Sequence, residues 1–170
     1  MIDVERWGSL DEAFQSDTPR ILHLPTNGLL KGSRFIDPVL RELEGEGLIE
    51  YMRPQDGMTA AETRQAIEAA DFVIDGIVLG AYGVMSCQAM AAGRIAVANL
   101  RDLGSLRTRT PIIDADPSTL EPTLREILSD RDSWKEHGEA GRDFVAEYHD
   151  GSFTAHQLAP FLGVPTDSST

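Results

Sequence analysis

The chain has 170 residues, 41% of them hydrophobic and 25% charged, and a formal net charge of −13. That supports one domain with a full core and is too short for two of ordinary size. It excludes a disordered chain, argues against nucleic acid as a partner, and offers no run of the roughly eighteen apolar residues a membrane span needs.

The opening stretch MIDVERWGSLDEAF is acidic and mixed, without the pattern of a signal peptide, so a cytoplasmic setting is expected. Residues 1–19 are expected to be a linker or N-terminal extension, residues 20–150 the folded unit, and residues 151–170 a tail. RILHLP (20–25) reads as a buried strand closed by turn residues Pro25, Asn27 and Gly28. SRFIDPVLRELEGEG follows, with Phe35, Ile36, Val39, Leu40 and Leu43 at helical spacing. Pro38 is expected in the first turn of that helix, and Gly45 or Gly47 at its end. LIEYM (48–52) is a second strand. TAAETRQAIEAA opens a helix with a capping box, Thr59 followed by Glu62.

DFVID (71–75) reads as a third strand, AYGVMSCQAMAAG (81–93) as an apolar helix stopped by Gly93, and RIAVANL as a fourth strand. TPIIDAD (110–116) adds a fifth. Two helices complete the unit, the first with Asp116 as cap and Pro117 at its first position, and the terminal PTDSST is polar and expected to fray. Short buried strands alternating with helices predict an α/β, doubly wound parallel sheet covered by helices on both faces.

In such a sheet ligands gather at the carboxyl ends of the strands. TNGLLKGS lies at one of these ends. Gly28 and Gly32 let the backbone approach a ligand, and Lys31 supplies a positive charge. The order Lys-Gly-Ser is not that of a Walker A loop, and the spacing is not the dinucleotide G-x-G-x-x-G. The chain has thirteen Arg and only two Lys, Lys31 and Lys135, so a Lys here suits a compact point charge. A second constellation, DGIVLGAYGVMSCQAMAAG (75–93), places Gly80 and Gly83 around Tyr82 where a loop turns into a helix. Amides near Gly83 and Val84 would favour an anion there. Gln88 lies more than one helical turn further on, where its amide can reach a ligand hydroxyl or satisfy a helix–sheet contact. Met85, Cys87, Met90 and Ala91 read as core packing.

Asp71 is expected to start a strand in a structural role, with Asp75 closer to the site. His23 reads as a core histidine, and His137, His149 and His156 are expected away from the cleft. The single cysteine, Cys87, excludes an internal disulfide and a cysteine-based metal cage. No acidic pair is spaced for a metal-bound diphosphate.

LPTNGLLKGS, then AADFVIDGIVLGAYGVMSCQAMAAGRIAV, then GEAGRDFVAEYHD resemble, in order, the C-terminal domain of retaining group 1 (family 4) glycosyltransferases. The resemblance covers roughly residues 20 to 150 and implies one Rossmann-like half of a GT-B fold. It implies a nucleoside-diphosphate sugar as donor substrate, with no separate cofactor or metal. Lys31, beside Asn27, Gly28 and Gly32, would touch the diphosphate, and amides of the Gly80–Tyr82–Gly83–Val84 turn would hold it. The family's E-x7-E motif falls on Gly80 and Gln88. Gln88 would hold the ribose through a neutral hydrogen bond, weaker than a charge-assisted one, while Gly80 has no side chain to approach the sugar. The Arg that often precedes the lysine is absent, with Gly28 in that region.

No catalytic residue is assigned. The acceptor is expected on an N-terminal domain or a separate subunit, with glycosyltransferase activity arising only when the halves are joined. The isolated chain is expected to bind nucleotide weakly and to transfer nothing. Phe153, Leu158, Phe161 and Leu162 are expected as an apolar patch facing that partner. The alternative is a Rossmann-like domain that has lost donor binding and serves as an interaction subunit.

Overall fold

Period-two alternation in the strands decides which side chains reach which side of the sheet. In the computed structural model, which describes residues 1–8, 10, 13–55 and 57–163, strands β1 (Arg20–Leu22), β2 (Glu50–Met52), β3 (Phe72–Ile74), β4 (Ile95–Ala98) and β5 (Ile113–Asp114) form one sheet in the order β2-β1-β3-β4-β5. Every pairing is parallel, with Leu22 opposite Val73 and Val73 opposite Ala96. Ile21, Phe72, Ile74, Ile95 and Val97 point to one face, where α2 (Ser33–Gly45) and α5 (Leu120–Ser129) cover them. Leu22, Val73, Ala96 and Ala98 point to the other, beneath α3 (Ala60–Ala69), α4 (Val84–Ala91) and α6 (Trp134–Tyr148).

Helix α2 presents Ile36, Leu40 and Leu43 to the sheet, each with no solvent exposure, and each such burial stabilises by about 1.5–3 kcal/mol. Gly47, at φ +76°, ends it through Gly47 N–H to Glu44 O (2.9 Å) and Leu48 N–H to Leu43 O (3.0 Å). Gly93 ends α4 in the same way. Thr59 and Glu62 form the expected capping box at the start of α3.

Three local expectations are corrected. Pro38 lies inside α2, five residues after its start at Ser33, because the turn before it closes as a separate helix, α1 (Gly28–Lys31). Arg34 and Pro38 are both exposed, so water can satisfy the Arg34 carbonyl that proline leaves unpaired. The strands are shorter than their apolar runs, since pairing stops where the loops diverge. Helix α5 begins at Leu120, and the Asp116 carboxylate instead caps the turn before it, accepting from the Ser118 and Thr119 amides. The expected frayed segment PTDSST lies outside the described residues.

Residues before β1 pack on the unit. Phe14 N–H donates to Asp71 Oδ1 (2.9 Å), Ile2 N–H to His149 O (2.8 Å), and Arg142 reaches the Gly8 and Ala91 carbonyls. Helix α7 (Ser152–Leu158) extends from the end of α6 and buries none of its residues. No helix of the described residues is long and apolar enough to cross a membrane.

Candidate functional site

The strand order reverses direction between β1 and β3, and the loops leaving their carboxyl ends diverge there. After β1 the chain runs extended to Asn27, whose side chain accepts from Leu29 N–H (3.1 Å) and Leu30 N–H (3.2 Å) and so caps the single turn α1. Gly32 follows at φ +83°. A Cβ there would sit 2.7 Å from Val78 Cγ2, so glycine is required twice over, by conformation and by space. Lys31 O accepts from Ile77 N–H (3.2 Å), which ties this turn to the loop after β3.

His23, buried at the end of β1, holds the same loop from below. Its Nδ1 faces the Ile74 carbonyl (3.0 Å) and must donate; its Nε2 then accepts from Ser33 Oγ (2.9 Å). Burial pushes the His23 pKa below its ordinary value, against the opposing pull of the Ile74 carbonyl. The ring is a neutral structural bridge, as expected.

Lys31 turns toward the start of α4. Its ammonium pairs with Asp75 Oδ1, and a Cβ on Gly83 would lie 3.2 Å from Lys31 Nζ. Asp75 Oδ2 accepts from Gly83 N–H (2.9 Å) and from Ser86 Oγ (2.9 Å). The Asp75 side chain is 1% exposed and that of Lys31 23%. One buried carboxylate therefore gathers an ammonium, an amide and a hydroxyl at the N-terminus of α4, where the helix dipole also favours negative charge.

Above this floor opens a cavity of about 720 Å³. Lys31, Val84 and Gln88 line it together with Thr26, Met58 and Thr63. The other residues expected at the site take supporting positions. The Asn27 side chain is used as a cap, Gly28 sits against Ser33 Oγ, and Gly32 and Gly83 lie behind the floor. The Gly83 amide points to Asp75. Gly80 is closed off: its carbonyl accepts from Asp102 N–H (2.8 Å), and a Cβ there would collide with the Asp102 side chain. No larger residue fits that position without moving the 3-10 segment Arg101–Arg109.

Tyr82 faces α6, with its hydroxyl 3.1 Å from His149 Nε2 and its ring stacked edge-on to Phe144 and His149. His149, expected away from the cleft, meets Tyr82 where the end of α6 returns over the start of α4, and neither residue lines the cavity. Burial lowers the His149 pKa and raises that of Tyr82.

Leu24, Met58, Thr63 and Ser86 carried no distinguishing signal in the sequence. The loop MRPQDGMT (52–59) reaches the cavity through Gly57 and Met58, while Asp56 lies outside the described residues. Cys87 is buried, its thiol pKa pushed up to about 11 by burial. Among the described residues no group of three metal-ligating side chains converges.

No family profile and no curated protein sequence matches the chain. Solved structures do. Anabaena HepE in complex with UDP-glucose aligns with a TM-score of 0.64 at 12% identity, covering 95% of this chain and 55% of that one. Sucrose-phosphate synthase from Thermosynechococcus elongatus aligns at 0.59 and 16% identity, over 92% and 50%. WaaG, a glycosyltransferase involved in lipopolysaccharide biosynthesis, aligns at 0.56 and 14%, over 80% and 44%. The chain thus spans about half the length of the structures it matches, and its fold is the Rossmann-like half of a GT-B architecture.

Proposed function

We propose that this chain is the cytoplasmic donor-binding half of a glycosyltransferase. It takes a nucleoside-diphosphate sugar into the cavity between β1, α3 and α4, for transfer to an acceptor held by an N-terminal domain or partner subunit. The observation that carries this reading is the position of Lys31. It is the only charged side chain among the described residues lining a cavity at the sheet's reversal point, and its ammonium sits at the N-terminus of α4. The cavity volume suits a nucleotide sugar. The fold it shares with a protein solved with UDP-glucose adds weight.

On this reading the diphosphate lies between Lys31 and the first amides of α4 at Val84 and Met85, with Gln88 near the ribose. Leu24, Met58 and Met85 give the base an apolar surface. When the sugar leaves, the bond from its anomeric carbon to the diphosphate breaks. The departing oxygen keeps the electron pair, and Lys31 and the amides stabilise that charge. Asn27, Gly28, Gly32, Gly80, Tyr82 and Gly83 shape the turns that hold these groups in place.

A second reading, an interaction subunit that no longer binds donor, is favoured by one observation: Asp75 already takes up the Lys31 ammonium and the Gly83 amide. Thermal shift with UDP, GDP and dTDP separates the two. Stabilisation by one of them that disappears in Lys31→Ala supports donor binding. Silence toward all three supports the interaction subunit.

A further inference from the structure

We propose that Asp75 is a specificity-determining residue of the donor site, resting on the reading above: it sets the amount of negative charge the site accepts. Its carboxylate sits directly behind Lys31, 1% exposed, with Oδ1 paired to Lys31 Nζ and Oδ2 accepting from Gly83 N–H and Ser86 Oγ. A buried ion pair is a weak source of stability, because desolvating both charges offsets most of their attraction, and an apolar pair of the same volume does as well or better. Helix α4 also needs no buried acid for its start, since a neutral acceptor would satisfy the Gly83 amide. What the carboxylate adds at this place is charge. It brings the formal charge of Lys31 and its partner to zero under a cavity whose described lining holds no other ionised group.

A phosphate chain entering the cavity meets Lys31 from one side while Asp75 repels it from just behind. Held in place by Asp75, the ammonium still presents donors to one phosphate at little ordering cost. Each further negative charge gains less from Lys31 than it would without Asp75, because the carboxylate repels it at nearly the same distance and burial leaves it poorly screened. The site therefore favours the diphosphate diester of a nucleotide sugar over nucleotides that carry more charge, which are its chemical competitors. A freed nucleoside diphosphate, with one more negative charge than the sugar ester, is also disfavoured relative to the donor.

The test compares the affinities of nucleoside diphosphate and triphosphate by calorimetry at low ionic strength, with uridine, guanosine and thymidine bases, for the wild-type chain and Asp75→Asn. Asparagine keeps the shape and removes the charge; its single oxygen can accept from Lys31 or from the Gly83 amide, and its amino group meets the other. Wild type is expected to bind the triphosphate no more tightly than the diphosphate. In Asp75→Asn the triphosphate should gain on the diphosphate by roughly tenfold, the scale of one unit charge at partly buried distances. A purely structural Asp75 would lower the melting temperature in the variant and leave that ratio where it was. A triphosphate that wild type prefers, or a ratio unchanged by Asp75→Asn, overturns the proposal. If Asp75→Asn does not fold, the wild-type ranking alone decides. Binding abolished by Lys31→Ala with an invariant ratio sinks this inference and leaves the donor site standing; a wild-type chain silent toward every nucleotide and toward UDP-glucose sinks both.

Discussion

The two faces of the sheet are built from different residues. Between the sheet and α2 and α5 pack Ile21, Ile36, Leu40, Leu43, Phe72 and Ile74, joined by Trp134 from the start of α6, large side chains with almost no exposure. Trp134 meets Phe72 edge-on at 5.0 Å and donates its indole N–H to the Ile127 carbonyl (2.7 Å). Beneath α3, α4 and α6 the alanines Ala66, Ala70, Ala89, Ala91, Ala92, Ala96 and Ala98 are interleaved with Leu22, Ile67, Val73, Met90 and Val145. Helix α6 approaches α4 through glycines, since a Cβ on Gly141 would lie 3.2 Å from Met90 and one on Gly138 2.6 Å from the Gly93 carbonyl. On the small-residue face the close approach of α4 sets its N-terminus beside Lys31, and the cavity opens on that side. The cavity is thus built on one face of the sheet, while the bulkiest buried apolar side chains, Trp134 and Phe72, stand on the other.

The largest expected effect comes from emptying the first face. Trp134→Ala should cost about 3–5 kcal/mol and Leu40→Ala about 2–5 kcal/mol in urea unfolding. Nucleotide affinity of the molecules that remain folded should barely change; a cost near zero would break the contrast. Filling the second face should act the other way round. Ala91→Leu overpacks the α4–sheet contact at about 1–3 kcal/mol, and by displacing α4 it should weaken Lys31-dependent nucleotide binding more than Leu40→Ala does. A binding isotherm identical to wild type would uncouple that face from the site.

Thr59→Ala removes the cap of α3 and should cost about 1 kcal/mol, with a small loss of nucleotide affinity because Met58 and Thr63 line the cavity on either side of it. The smallest effect is a pH slope. Burial holds the folded pKa of His23 below that of the unfolded chain, so the unfolded state binds more protons once pH drops toward 6.5. Stability from this group is fully present above that range and declines as pH falls through it toward the folded value. The change is at most about 0.7 kcal/mol between pH 7 and pH 6. His149 shifts in the same direction, so the slope in this window should flatten only in the double variant His23→Asn/His149→Gln, as read from urea midpoints.

Much of this was legible in the chain. The apolar runs at 20–25, 71–75 and 94–100 each contain the strand they predict, and the capping box at Thr59 marks the start of α3. Lys31 and Gly32 stood out because a lysine is rare in this chain and because a glycine lets the backbone approach a ligand. The ends of the elements were not legible: the Leu22 and Ile74 pairings stop where neighbouring strands diverge, which depends on partners distant in sequence. Nor were Met58 and Thr63, ordinary residues that reach the cavity only because α3 crosses the sheet beside α4.

What the order of residues determined by itself is local: period-two burial, helix stops at Gly47 and Gly93, and a glycine-flanked lysine after the first strand. Each follows from backbone sterics and side-chain polarity within a few residues. Tertiary structure alone decided that Asp75 stands behind Lys31, that Gly80 is sealed by Asp102, and that Tyr82 meets His149. Those pairs are 44, 22 and 67 residues apart, and such partners become neighbours only when parallel strands and their crossovers are stacked into one sheet.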